Sequence, residues 1–338
     1  MRRTVGLVLL GLGAFLVTAA LLVALYVPGA MKKTPLDVDS KTRLSGQAAT
    51  LPDGSSSPVK ALSHTVANGE LSDDDVVVFD SFTCLVKDDG SVEDCTDDGE
   101  AGSALITAST DSFAADRKTA MAVQDSKYVS EDSEHEGLVN KWPFDVKKET
   151  YPYWDGLLGR TIDAVFDGEE EIDGLNTYRF VTNVQDAPAQ VAEGTAGNYT
   201  TQKTMWIDPV TGSIINQHEK QVRSIRGTPV LELDFGFTDE TVAANVESAK
   251  SSGSQLGMLS TAPWILGLLG LIALGAGGFL AFAGGRPEDA AYADGTYADG
   301  DEPAYVDETQ PVYEDRTDQF FEEAEADVET RRSRRDLE

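Results

Sequence analysis

"KTMWIDPVTGSIINQHEKQVRSI", residues 203–225, reads as a β-hairpin, and the fold is worked outward from it. "DPVTG" supplies Pro209 and Gly212 at positions that suit a turn. The return arm is long and mostly polar, so one side of it is expected to face water. Upstream, "TIDAVF" sets Ile162, Ala164 and Phe166 on one face, with Thr161 and Asp163 on the other. "NTYRFVTNV" does the same with Tyr178, Phe180 and Val184, and the Gly-bearing "DGEEEIDGL" between them suits a hairpin connection. Downstream, "PVLELDFGF" alternates most clearly, with Leu231, Leu233, Phe235 and Phe237 facing one way. The period then changes. "DETVAANVESAKSSG" spaces Val242, Val246 and Ala249 as on a helix, puts acids in its first turn and ends on Gly253. "SALITASTDSFAADRKTAMAV" fits strand or helix equally, and residues 37–72 read as loop with short strands. The expected class is α+β: one β-rich, mainly antiparallel domain.

Two stretches are too apolar for a soluble domain. Residues 4–27 carry no charge and, at about 1.5 Å per residue, reach roughly 36 Å as a helix. Residues 263–285 are equally uncharged. Both exceed a signal-peptide core, and no small-x-small cleavage site follows the first, so both are read as membrane spans. Arg2, Arg3 and Arg286 flank the outer ends and place both termini in the cytoplasm, although Lys32 and Lys33 on the far side weaken that bias. The expected order is a cytoplasmic N-terminus (1–3), a span (4–27), an extracytoplasmic domain (28–262), a span (263–285) and an acidic cytoplasmic tail (286–338) in the plasma membrane.

The chain has 58 acids against 27 bases, a net charge of −31. Lys and Arg nowhere cluster between the ends, so nucleic acid is not an expected partner. The tail, with its tandem "YADGTYADGD", lacks the apolar residues to offset chain entropy and is expected to be disordered. Cys84 and Cys95 are the only cysteines. "CLVKDDGSVEDC" is symmetric about Asp89-Gly90, as a cross-strand disulfide closing a hairpin would be. Such a bond persists outside the cytosol and agrees with the assigned topology.

No site chemistry stands out. His64, His135 and His218 lie in no metal-ligand or triad spacing, and no phosphate loop or nucleophile elbow is present. "SDDDVVV" and "DDGSVEDCTDDGE" lack the spacing of a calcium loop and read as solvated turn acids. Neither an enzyme nor a cofactor or metal site is expected.

"KWPFDVKKETYPYWDG" (141–156) is the densest aromatic stretch. Its prolines exclude a continuous helix or a central strand, so it reads as an irregular connection. It serves either as a joint clipped onto the sheet or as the lining of an apolar cavity. "PFDVKKETYPYWD", "GLNTYRFV" and "MWIDPVTGSII", ordered between two apolar spans, resemble the actinobacterial PorA-like family over about residues 1–285. The resemblance implies an actinobacterial envelope protein, in a family some of whose members are linked to lipoglycan assembly. The function expected from both lines is binding of a lipid or lipoglycan intermediate, by Trp142, Phe144, Tyr151, Tyr153 and Trp154 facing Leu231, Leu233, Phe235 and Phe237. The rivals are a scaffold or sensor recruiting envelope-biosynthesis proteins, and a channel. A transmembrane barrel is not expected, because arms such as 213–225 are too polar to face lipid.

Overall fold

A computed structural model describes residues 2–50, 54–90, 104–130, 133–192 and 194–283. Helix α1 (Arg2–Met31) leads into ten strands: β1 (Asp39–Thr50), β2 (Ser56–Ala67), β3 (Val76–Lys87), β4 (Leu105–Asp116), β5 (Tyr151–Asp155), β6 (Arg160–Ile172), β7 (Leu175–Ala192), β8 (Thr195–Ile207), β9 (Ile214–Ile225) and β10 (Thr228–Phe237). Helix α2 (Asp239–Phe282) ends the described chain. The expectations for the tail, 286–338, fall outside the described residues.

All neighbours pair antiparallel in one sheet of order β4-β3-β2-β1-β10-β9-β8-β7-β6-β5. Hairpin chemistry sets this order. Asp173-Gly174 and Arg226-Gly227 both take positive φ at each residue, the two-residue turn that matches strand twist. The β6–β7 connection is therefore shorter than "DGEEEIDGL" suggested, and the three glutamates belong to β6. Register shifts at Phe166/Gly168, Val184/Ala187 and Trp206/Ile207 add twist and curl the sheet. The curl gives it an inner and an outer face.

The two edges are joined by residues 117–130 and 133–138. Val123 N–H donates to the Ala114 carbonyl of β4, and Ala122 N–H donates to Gly137. Leu138 N–H donates to Pro152 while Trp154 N–H donates back to Leu138, on the free edge of β5. Pro152 is thus tolerated as an edge residue, and the second half of the aromatic stretch is a short strand.

Three readings are corrected. Residues 37–72 hold two twelve-residue strands rather than loop with short strands, because β1 fills the place between β2 and β10. Asp89-Gly90 is not a tight hairpin turn: Cys84 faces Ala108 across the β3–β4 ladder. Cys84 is buried, while Cys95, and with it the expected bond, lies outside the described residues. Finally, α2 does not stop at Gly253. It is capped by Thr238, whose hydroxyl accepts from Thr241 N–H, and runs unbroken for 44 residues through Pro263. Its first turns pack Val242, Val246 and Ala249 on Ile172, Leu175 and Ile215, as their spacing indicated.

Helices α1 and α2 pack antiparallel through small residues. A Cβ on Gly6 would lie 2.7 Å from Ala281 N, one on Gly13 2.7 Å from Leu274 N and one on Gly277 2.7 Å from Leu10 N. Gly6, Gly13 and the buried Ala20 recur every seven residues, the spacing that keeps one stripe against a partner helix. The remaining surface of the pair is apolar and bare, with Leu25 and Trp264 each 82% exposed.

Candidate functional site

The inner face of the sheet has two halves. Toward β5–β8 it is filled. Trp142, which is fully buried, stacks on Tyr153 at a ring-centroid distance of 5.2 Å and meets Phe180 at 5.5 Å. Ala120, Leu138, Val146, Ala164, Met205 and Ile207 complete this cluster, with Tyr151 and Phe166 packed against it. Local backbone geometry makes the fit possible. Gly212, at positive φ, lets the 208–213 turn approach to where a Cβ would sit 2.2 Å from the Trp142 carbonyl. Trp142 N–H in turn donates to Gly212 O. Lys141 closes the joint: its ammonium donates to Thr211 O and Trp142 O and lies 4.0 Å from the centre of the Phe144 ring. Burial, opposed by Asp208, brings that amine down to about 8.

Toward β1–β4 and β10 the inner face encloses a cavity of about 1260 Å³. One wall is apolar, formed by Ala61, Leu85, Leu233 and Phe235, with Leu44, Ala48, Val59 and Leu231 packed around them. Trp154 stands opposite, its ring 4.9 Å from that of His135. The expected lining residues therefore divide. Trp154, Leu233 and Phe235 reach the cavity; Trp142, Tyr151 and Tyr153 build the filled half; Phe144 covers Lys141; Leu231 and Phe237 back the apolar wall.

A polar wall went unread in the sequence. Across the β10–β9–β8 ladders, Leu231 is followed by Arg223 and Tyr199, Leu233 by Gln221 and Thr201, and Phe235 by Glu219 and Lys203. Each row passes from apolar to polar within two strands. Lys203 Nζ lies 3.1 Å from Glu219 Oε2, and Glu219 Oε1 accepts from Thr201, Gln221 and, at 3.4 Å, Tyr199. Arg223 Nε donates to Gln221 Oε1 and its Nη1 to Val191 O. Burial disfavours both charges of the Lys203–Glu219 pair. Their mutual attraction outweighs it, holding Glu219 below and Lys203 above the ordinary range. Burial, then Glu219, pushes the Tyr199 phenol well up, so it stays protonated. The signal in the sequence was parity. Lys203 shares a strand face with Met205 and Ile207, and Glu219 sits directly across from it.

At the cavity rim His135 Nε2 is 2.9 Å from Asp111 Oδ2, and Ser133 contacts its Nδ1. The acids of "SDDDVVV" serve the fold: Asp73 accepts from Asp75 and Val76 N–H and from Lys127 and Tyr128. Among the described residues, no three His, Cys, Asp or Glu side chains gather as a metal would need.

The porin PorA family profile matches residues 5–279, most of the chain. The chain belongs to the PorA family. A relative, porin PorA of Corynebacterium amycolatum, is 22% identical, covering 80% of this chain and 97% of its own. A solved DUF1329 family protein from Desulfovibrio piger aligns over 68% of this chain and 91% of its own, at 12% identity and a TM-score of 0.19, too low to bear on fold or function. In this PorA-family chain the matched region takes in both helices, the whole sheet, the filled aromatic half and the cavity.

Proposed function

We propose that the chain is a two-span membrane protein whose curled sheet holds the acyl part of an envelope lipid or lipoglycan intermediate, without catalysing a reaction. The carrying observation is the cavity, which Leu85, Leu233 and Phe235 line and whose polar wall begins one strand from Leu233 and Phe235. An amphipathic ligand matches such a division, and each methylene taken from water contributes about 0.8 kcal/mol. The helix pair supports the membrane placement. Its outward residues are apolar and bare, and Tyr26 and Trp264, both strongly exposed, suit the interface belt. An antiparallel pair also sets both helix ends remote from the sheet on one side, as the cytoplasmic assignment of the termini requires.

A channel is the second reading, favoured by the name of the family and of the Corynebacterium relative. Conduction would fall to the helices or to an assembly. The outer face of the sheet carries the His218–Asp234–Lys220 cluster and the Arg179–Asp167 pair, costly groups to set against lipid. The test is native mass spectrometry of the full chain in detergent after exposure to envelope lipid extract, beside planar-bilayer recording of the same sample. A retained lipid mass that Leu233→Arg removes, with no conductance, supports the binding reading. Unitary currents from a lipid-free chain sink it in favour of the channel.

A further inference from the structure

The two cations of the polar wall are not equivalent. Lys203 is neutralised by Glu219 at 3.1 Å. Arg223, on the same wall, is bonded only to neutral acceptors, the Gln221 side-chain oxygen and the Val191 carbonyl. Among the described residues no carboxylate forms an ion pair with it, although it is half-buried and lines the cavity. Asp155, the buried carboxylate nearby in the lining, is occupied by Leu157 and Leu158 N–H. Asp80, Asp111 and Glu134 also line the cavity, but all three are exposed and water screens their charge. A second unmet group shares the face: Thr182, directly across from Lys203, is buried with its hydroxyl unpartnered.

We propose that Arg223 is the subsite for an anionic group, a phosphate or carboxylate, carried by the ligand whose chains lie on Leu233 and Phe235. The proposal rests on the binding reading above and adds a charge class to it. A guanidinium presents several donors in a fixed fork, matching the paired oxygens of such a group. Two are engaged by Gln221 and Val191, which fix the orientation of the plane and leave the rest of the fork to the ligand. Burial lowers Arg223 from its ordinary value against the pull of Tyr199, Glu219 and Asp155; the guanidinium stays charged, and an anion at the fork would add to that pull. Leu231 and Tyr199 flank Arg223 in its cross-strand row, so the anion would sit where apolar wall gives way to polar.

The experiment uses the full chain in a neutral detergent and follows tryptophan fluorescence, since Trp154 lines the cavity. It is titrated with phosphatidylglycerol, with diacylglycerol of the same chains, which lacks the phosphate, and with inorganic phosphate. The expected result is about tenfold tighter binding of the anionic lipid. Arg223→Gln removes that preference without weakening diacylglycerol, and Arg223→Lys keeps part of it. Competition by inorganic phosphate against phosphatidylglycerol on the wild-type chain needs no variant and so no refolding control. It separates a site for the bare anion from one that needs the attached chains. Equal binding of the two lipids, or a preference untouched in folded Arg223→Gln, overturns this proposal and leaves the binding reading standing. Binding of neither lipid overturns both.

Discussion

The two halves of the inner face obey the same alternation and end in opposite states. On β5–β8 the inward positions are Tyr153, Phe180, Met205 and Ile207, and Trp142 drops in from outside the sheet to fill what they leave. On β1–β3 they are Leu44, Ala48, Ala61 and Leu85, small or aliphatic, and Ala61 and Leu85 border the cavity. Alternation sets which face turns inward. Side-chain volume, together with one inserted tryptophan, sets whether that face closes into a core or stays hollow.

The sharpest break of this contrast is Trp142→Ala. Removing a fully buried indole from the filled half is expected to cost about 3–5 kcal/mol in denaturant unfolding. A loss under about 1 kcal/mol would mean that the cluster is as loosely packed as its neighbour. Next is Glu219→Leu, which strands the Lys203 ammonium and is expected to cost about 3 kcal/mol. Adding Lys203→Met should recover most of it, and failure to recover would show that the neutral hydrogen bonds, not the ion pair, hold the wall.

Lys141 gives a pH test within the filled half. Its amine is brought to about 8 by burial, against about 10.5 in an unfolded chain. Between those values the unfolded state holds more protons, so stability rises with pH across the window and is flat below it. The wild-type chain should gain roughly 2 kcal/mol between pH 7.5 and pH 10 relative to Lys141→Met. Parallel curves would refute the buried-amine account. The smallest effect is expected at Phe235→Ala on the cavity wall, about 1 kcal/mol, because the side chain already borders space and its loss opens little more.

Much of the sheet was legible where bulky residues alternate. Phe180, Leu231 and Leu233 point inward as their parity indicated, and Val246 and Ala249 mark the docked face of α2. β1 was not legible, because "SKTRLSGQAAT" is small and polar. Its Gly46 is needed where a Cβ would lie 2.1 Å from Asp234 O, a requirement of pairing that no local pattern carries. The continuation of α2 beyond Gly253 was hidden for a similar reason. Local propensity argued for a stop, while contact with α1 sustains the helix further on. Of the site, the apolar wall was readable and the polar wall was not. Arg223, Gln221 and Glu219 look solvent-facing on their own strand, and only cross-strand register turns them inward.

The helices join the sheet at β1 and β10, adjacent strands near the middle of its order, and Thr238 N–H bonds Arg43 O at that junction. The stitched edges, β4 and β5, lie at the two ends of the order. Mechanically this is a clamshell held at its spine. Two further ties run beyond the spine: α2 rests on Ile172, Leu175 and Ile215, and Thr34, just past α1, exchanges hydrogen bonds with Arg117 at the start of the joining segment. A load on the helices is therefore shared between the spine and the seam.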